Sequence, residues 1–284
     1  MGKAIPVDLG PVQETLLIPL LGRAQETRLQ RGLMHDPKAV SIVESLDYDF
    51  SKWLGTPSLV GASIRARIFD EQVSTFLSSH PSGTVVEIGA GLNTRFERLD
   101  NGKARWLELD LPDAMALRQQ FFDSNERRTM LAADVRSSDW HEDVAALPGP
   151  YCFVSEAVLI YLDGTDVQHA IEPLAQRFPG SWLITDTVNS HAVENQHRHD
   201  AMKKLSKESW FRWKCDNPAG LRHWGLQLEQ SQTFADVSPP IRAVMPTIYR
   251  FTLALLPWLA RRLSRDYAIN RYTFNDISPQ QASV

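Results

Sequence analysis

The spacing of apolar residues along the chain changes near residue 84. Before this point they recur at helical intervals in 40–46 and 68–77, which predicts several helices within residues 11–80. After it, short apolar runs alternate with helical stretches, a pattern typical of βα units around a mainly parallel sheet. The first five strands are expected at 84–88, 105–109, 129–133, 151–155 and 181–186.

This alternation stops after Asp186. Residues 189–223 are polar and rich in histidine and aromatic side chains, so we expect an insertion that forms a lid. A strand near 225–231, a helix over about 241–263 and a last strand near 268–275 should follow. The two late strands predict an antiparallel pair that closes the sheet.

The pattern predicts one α/β domain over residues 1–284. Its expected parts are a helical cap, a core, the lid insertion and the closing elements, at 1–80, 81–188, 189–223 and 224–284. The longest charge-free apolar run, 251–260, predicts a buried or lid helix kinked near Pro257. Peripheral membrane contact through Leu256, Trp258 and Arg261-Arg262 is the alternative.

Composition narrows the possible partners and compartment. The net charge of −4 gives no basic footprint, so a nucleic-acid partner is not expected. Two cysteines are too few for a disulfide framework or a structural zinc cluster, which fits a reducing compartment. No export signal is apparent, and the ten-residue run at 251–260 is shorter than the ~20 residues that span a bilayer. We therefore expect a cytoplasmic protein without membrane insertion, and the sequence does not indicate its oligomeric state.

A glycine turn follows the first predicted strand. Gly89-Ala90-Gly91 lets a ligand approach the backbone closely, and Asp110 ends the next strand, where an acid can accept both hydroxyls of an adenosine ribose. A dinucleotide fingerprint would have Gly or Ala at the position of Thr94. An NAD-dependent oxidoreductase is therefore disfavoured. Glu87-x-Gly89-x-Gly91 is instead the form seen in S-adenosylmethionine-dependent methyltransferases.

Further blocks extend this likeness through almost the whole chain. They are ETLLIPLLGRAQETR (14–28), HDPKAV (35–40), IRARIFDEQVSTFL (64–77), VVEIGAGLNTRFERLDN (85–101), WLELDLP (106–112), SEAVLIYL (155–162) and FRWKCDNP (211–218). In these blocks the chain resembles the leucine carboxyl methyltransferase superfamily, in particular its bacterial branch of tetracenomycin-type polyketide O-methyltransferases. The resemblance implies a class I, Rossmann-like fold and methyl transfer from S-adenosylmethionine to an oxygen, often a carboxylate, leaving S-adenosylhomocysteine.

The resemblance also implies roles for individual residues at the cofactor. Arg67 would bind the methionine carboxylate, because a guanidinium matches a carboxylate in bidentate fashion. Arg23 would be a second basic position at the cofactor, with the nearby Arg28 as its alternative. Glu156 would lie at the ammonium or the reaction centre, with Tyr161 facing the acceptor. The remaining cofactor positions are the turn and its support (Glu87, Gly89, Gly91), the ribose site (Asp110, Leu111) and the adenine site (Asp134, Val135).

The acceptor is expected to be a small molecule held by the insertion. A carboxylate is ionised at neutral pH and needs no general base, whereas a hydroxyl would need one, and no dyad is evident in the sequence. No metal is expected, because His197 and His199 are two residues apart and point in different directions on a helix. The expected acceptor-binding residues are His191, His197, Trp210, Trp213 and Trp224.

Three alternatives to small-molecule methylation stay open. The chain could methylate the C-terminal carboxylate of a protein, bind S-adenosylmethionine without catalysis, or be an NAD oxidoreductase.

Overall fold

The computed structural model describes residues 4–275, and a seven-stranded sheet forms its centre. A small parallel pair lies apart from it, β1 (Ile5–Pro6) with β2 (Leu46–Asp47). The sheet strands are β3 (Thr84–Ile88), β4 (Arg105–Asp110), β5 (Arg128–Ala132), β6 (Tyr151–Ser155), β7 (Trp182–Val188), β8 (Leu226–Gln232) and β9 (Tyr267–Phe274). Their order is β5-β4-β3-β6-β7-β9-β8, and β9 runs antiparallel to both of its neighbours.

All seven strands predicted from the sequence are present, and their ends differ from the prediction by at most two residues. The five residues of β3 are all buried, because this central strand is covered on both faces. Phe153 and Leu183 pack into the core on one face of the sheet. Val154 and Ile184, the next residues along the same strands, pack into the core on the other face.

Helices precede the sheet strands and connect most of them. The long helix α3 (Pro57–Ser79) packs on α1 (Leu17–Arg28) and contributes Phe69, Val73 and Phe76 to one core. Between α8 (Ser190–Asn195) and β8 the chain forms short 3₁₀ turns. The helices are α1 (Leu17–Arg28), α2 (Pro37–Ser45), α3 (Pro57–Ser79), α4 (Arg95–Leu99), α5 (Pro112–Arg118), α6 (His141–Ala145), α7 (Gly164–Arg177), α8 (Ser190–Asn195), α9 (Pro239–Val244), α10 (Thr247–Leu255) and α11 (Pro257–Ser264).

The predicted helix over 241–263 is divided into α9, α10 and α11. Pro246 is the N-cap of α10 and Pro257 is the first residue of α11. A proline lacks the N–H that would continue a preceding helix and disfavours helical geometry in the residue before it, so the single long helix was a wrong prediction.

Burial of the run 251–260 was also a wrong prediction. Phe251 is 57% exposed, Leu255 69% and Trp258 62%. Within residues 4–275, no helix is long and apolar enough to cross a membrane.

Candidate active site

A cavity of about 750 Å³ opens at the carboxyl edge of the sheet. The chain leaves β3 for β4 and β5 on one side and returns to β6 and β7 on the other. Such a topological switch point leaves a crevice in which open α/β sheets bind ligands. The cavity is lined by the loops after β3, β4, β5 and β6, by parts of α1 and α3, and by the segment that follows β7.

The glycine turn after β3 forms the floor of this cavity. Gly89 and Gly91 have φ angles of +68° and +46°, a region that favours glycine. A Cβ on Gly89 would lie 2.2 Å from Cγ2 of Val158, so no larger side chain fits without displacement. The turn therefore brings backbone, rather than side chains, to the ligand.

Asp110 closes the turn from the neighbouring strand. Its Oδ2 accepts a hydrogen bond from the Gly91 N–H at 2.6 Å, and its Oδ1 accepts one from the Leu111 N–H at 2.7 Å. Burial raises the pKa of Asp110 above its ordinary value, although both backbone donors oppose this shift. Each oxygen keeps a second acceptor site for a ligand hydroxyl.

The loop after β5 supplies the next wall. Val135 is buried at the cavity, and Asp134 lies beside it with its carboxylate held by Arg136. The hydrogen bond from Arg136 lowers the pKa of Asp134. An apolar surface next to an acid and backbone amides suits a planar, polar ring such as adenine.

Arg95 lies behind the glycine turn and binds three buried acids. Its Nη1 donates to both oxygens of Glu87 at 2.7 Å, Nη2 to Oε2 of Glu156 at 2.6 Å, and Nε to Oδ1 of Asp70 at 2.9 Å. Burial disfavours the charge of Arg95, but the three carboxylates raise its pKa above the ordinary value. Glu87 is therefore paired with Arg95 behind the turn and does not line the cavity.

Ion pairs continue from this cluster to the N-terminal helices. Asp36 accepts from Arg23 Nε at 3.0 Å and from Arg98 Nη1 at 3.3 Å, and the Thr94 hydroxyl donates to it. Arg98 also donates to Asp70, so the two clusters are joined. Burial alone would raise the pKa of Asp36, but Arg23 and Arg98 lower it below its ordinary value.

The structure brings Arg23 and Arg65 to the cavity, but not Arg67. Ser58, Gly61, Ala62 and Arg65 line it at helical spacing along α3. Arg67 is two residues, or about 200°, further round the helix, and it lines a separate cavity with Asp70 and Glu71. Arg28 also does not line the active-site cavity, and its guanidinium pairs with Glu44.

Glu156 lines the cavity with both oxygens already paired. Oε1 accepts from Arg65 Nε at 2.8 Å, and Oε2 accepts from Arg95. Burial would raise the pKa of Glu156, but the two guanidinium groups lower it. Tyr161 also lines the cavity, with its ring centre 5.4 Å from that of Phe211.

The insertion after β7 covers the cavity, but only one of the five predicted acceptor residues lines it. His191 lines it, as do Gln196, Phe211 and Arg212. Phe211 was not among the five predicted acceptor residues, although it lies in the quoted block FRWKCDNP.

The other four predicted acceptor residues do not line the cavity. His197 is exposed to solvent, and the Trp210 indole donates to the Met202 carbonyl at 3.2 Å. Trp213 and Trp224 stack on each other in the core with ring centres 6.2 Å apart. Their rings are buried by packing inside the protein. The spacing of aromatic residues in a sequence does not distinguish such packing from ligand binding.

Two side-chain pairs at the cavity, each with one aspartate, were not predicted from the sequence. Asp266 Oδ2 lies 2.8 Å from His191 Nδ1, and both residues line the cavity. Tyr267 also lines it and donates its hydroxyl to the buried Asp186. Since β9 is antiparallel, its first residues lie at the same edge as the ends of the parallel strands. The predicted antiparallel closing strand could therefore have indicated that Asp266 and Tyr267 lie at the cavity.

The sheet order, the antiparallel closing strand, the glycine turn and the acid after the second sheet strand define a class I S-adenosylmethionine-dependent methyltransferase. A model of the leucine carboxyl methyltransferase family matches residues 17–175, more than half of the chain. The chain belongs to this family, and it is an S-adenosylmethionine-dependent O-methyltransferase, as the sequence predicted.

Curated relatives carry methyltransferase names. The tetracenomycin polyketide synthesis O-methyltransferase TcmP of Streptomyces glaucescens is 28% identical over 240 residues, which are 83% of this chain and 87% of that protein. The S-adenosyl-L-methionine-dependent methyltransferase dpfgK of Gibberella zeae is 26% identical over 194 residues, 62% of this chain and 64% of that one.

Solved structures share the fold at low sequence identity. A DUF574 family protein from Streptomyces avermitilis has a TM-score of 0.55 at 12% identity, covering 75% of this chain and 83% of that chain. An O-methyltransferase family protein from Burkholderia thailandensis has a TM-score of 0.50 at 14% identity, covering 94% of this chain and 72% of that chain.

The residues at the cavity fit S-adenosylmethionine. The floor has no side chain at Gly89, the Asp110 oxygens have spare acceptor sites, and Val135 offers an apolar surface. Arg23 uses Nε on Asp36 and Nη2 on the Leu92 carbonyl, and Nη1 makes no hydrogen bond within residues 4–275.

Proposed function

We propose that Asp110 holds the ribose of S-adenosylmethionine, that Leu111, Asp134 and Val135 hold the adenine, and that Arg23 holds the methionine carboxylate. The spare acceptor sites on Asp110 and the open Nη1 of Arg23 support these positions. Gly89 and Gly91 flank the methionine end, and Glu87 supports them through Arg95.

Substitution of Asp110 tests this placement. Asp110→Ala is expected to weaken S-adenosylhomocysteine binding by about 1–3 kcal/mol, because charge-assisted hydrogen bonds are lost. Calorimetry measures the dissociation constant, and a thermal melt checks the fold. The exposed Asp139 gives the matched control Asp139→Ala, which should bind normally. An unchanged affinity in Asp110→Ala contradicts the assignment.

We propose that the acceptor is the carboxylate of a small aromatic or polyketide-like acid. The observation that carries this is the pairing of apolar and cationic side chains around the insertion. Tyr161, Phe211 and Phe234 line the cavity together with Arg198 and Arg212. Aromatic walls favour a planar, largely apolar body, and the guanidinium groups favour an acidic head. The name of the relative TcmP, an enzyme of polyketide synthesis, points to the same class.

The chain's part in this reaction is mainly to position the acceptor. When bound, S-adenosylmethionine supplies a methyl group on a positively charged sulfur. An acceptor carboxylate held by Arg198 and Arg212 is already ionised, so no residue must remove a proton. The new bond joins the carboxylate oxygen to the methyl carbon, and the electron pair of the broken bond stays on sulfur. The apolar walls exclude water from the nucleophile.

A panel of aromatic acids and their amides tests this acceptor class. The acids should be methylated, and the matching amides, which lack the charge, should not. Arg198→Gln with Arg212→Gln should raise KM for the acid more than it lowers kcat, because these residues bind both ground and transition state. Methylation of amides or phenols at equal rates would contradict the proposal.

A hydroxyl acceptor is the second candidate, and the His191–Asp266 pair favours it. Asp266 fixes Nδ1 of His191 at 2.8 Å, which leaves Nε2 free to accept a proton from a hydroxyl. For a phenol substrate, His191→Ala should lower kcat roughly 10²–10⁴-fold. For a carboxylate substrate, the same variant should leave kcat nearly unchanged.

A further inference from the structure

Helix α10 has two apolar faces, and only one of them is packed. Tyr249 and Leu253 face the core beneath the helix. Ile248, Phe251 and Leu255 lie at i, i+3 and i+7 and form a stripe on the outer side, where Ile248 is 70% exposed. A helix at a protein surface in water needs an apolar face only on the side that packs against the core.

The apolar stripe continues beyond the end of α10. Leu256 is exposed in the break between the helices, and Trp258 is exposed on α11. Arg261 and Arg262 follow Trp258 at i+3 and i+4, so they lie on the same side of α11. We call these residues, with Ile248, Phe251, Leu255 and the exposed Arg250, the α10–α11 surface.

The charge of this segment is of one sign. Residues 237–265 contain five arginines and no aspartate or glutamate, although the whole chain carries a net charge of −4. The arginines are Arg242, Arg250, Arg261, Arg262 and Arg265. Arg242, Arg250, Arg261 and Arg262 are exposed and have no ion-pair partner within residues 4–275. The basic charge therefore remains available to a negative partner.

We propose that the α10–α11 surface docks on a membrane that contains anionic phospholipids. Aromatic and aliphatic side chains would enter the boundary between headgroups and acyl chains, and the arginines would meet the phosphates. A second copy of this chain fits less well. A two-fold contact would place the three arginines of this surface, Arg250, Arg261 and Arg262, close to those of the second copy, and like charges repel.

Vesicle flotation of the full-length protein tests the proposal. The protein should float with vesicles of phosphatidylcholine mixed with phosphatidylglycerol, but not with phosphatidylcholine alone, and added salt should weaken binding. Arg261→Gln with Arg262→Gln should lower the partition coefficient roughly 25-fold, about fivefold for each arginine. Phe251→Ser and Trp258→Ser should each lower it roughly tenfold.

Exposed residues elsewhere provide controls. Leu54 is 56% exposed outside the surface, and Leu54→Ser should leave binding unchanged, as should Arg222→Gln. Binding that is equal for both kinds of vesicle, or equal losses in the controls, would overturn the proposal. The proposal would also be overturned if the wild-type protein did not bind vesicles and instead formed a dimer in sedimentation velocity that Phe251→Ser dissociates. Cofactor affinity in solution should be the same in every variant, which separates this test from the active-site proposals.

Discussion

The carboxyl edge of the sheet and the α10–α11 surface both depart from the usual distribution, in which charged side chains are exposed and apolar ones are buried. At the sheet edge, Arg95 is 1% exposed and its charge lies among buried carboxylates. On the α10–α11 surface, Phe251 and Trp258 are more than half exposed. Buried charges and exposed aromatic side chains both cost stability unless a partner compensates them.

The difference between the two regions lies in where the partner is. The positive charge of Arg95 is matched inside the chain by the carboxylates of Asp70, Glu87 and Glu156. The apolar side chains on α10 and α11 have no such match in the part of the chain that the structure describes. Internal matching indicates a rigid support, whereas unmatched apolar area indicates contact with something outside.

The largest expected effect is on Arg95. Arg95→Met leaves the buried Glu87 without a cationic partner within residues 4–275, whereas Asp70 keeps Arg98 and Glu156 keeps Arg65. It should lower the free energy of unfolding by about 3–5 kcal/mol. Urea denaturation measures this. The exposed pair Arg177–Glu142 is the control, and Arg177→Met should cost less than about 1 kcal/mol. Similar costs for both variants would remove the distinction between the two kinds of ion pair.

The pH dependence of stability tests the buried acid Asp186. Burial raises its pKa to about 6, although Arg65 and the Tyr267 hydroxyl oppose this. A raised folded-state pKa means that this acid stabilises the fold fully below pH 3.8 and loses that contribution as the pH rises through 6. The unfolding free energy of wild type relative to Asp186→Asn should fall by on the order of 3 kcal/mol between pH 4 and 7. A constant difference would show that Asp186 titrates normally.

The glycine turn should show a smaller effect. Gly89→Ala adds backbone strain and a contact with Val158, and should cost about 2 kcal/mol in the free energy of unfolding. Gly102 also has a positive φ, but a Cβ there meets no atom within 4 Å. Gly102→Ala therefore measures the cost of backbone strain alone. The additional loss of stability in Gly89→Ala should become smaller when Val158 is also changed to Ala.

The smallest effect is expected on the α10–α11 surface. Phe251→Ser should change the free energy of unfolding by less than about 0.5 kcal/mol, because the ring makes few contacts within the chain. The buried Phe76 is the matched control, and Phe76→Ser should cost about 3–5 kcal/mol. A large loss in Phe251→Ser would mean that the ring packs inside the protein.

The fold was predictable because strand and helix patterns are local. The run Thr84–Ile88 and the alternation after it specify the strands, and the fold class follows from their order. The break at Pro257 was predicted as a kink, but the break at Pro246 was missed although this proline is visible in the sequence. There, the apolar spacing was given more weight than the N–H group that proline lacks.

The site was predictable where it follows the ends of strands. Gly89, Gly91, Asp110 and Glu156 lie at the cavity because parallel strands end at one edge. Arg67 was chosen by likeness without regard to the phase of α3, which turns Arg65 to the cavity instead. Other contacts could not be inferred from local spacing, because they join residues far apart in the chain. The contact of Asp266 with His191, 75 residues apart, is one of these.

Asp36 limits how far the protein can be shortened. Its carboxylate caps α2 through the Ala39 N–H and also holds Arg23, Thr94 and Arg98. One side chain thus fastens the amino-terminal helices to the loop that leads away from the glycine turn. A fragment trimmed to the sheet and its connecting helices would lose this fastening, so a minimal catalytic unit must retain the chain from α1 onward.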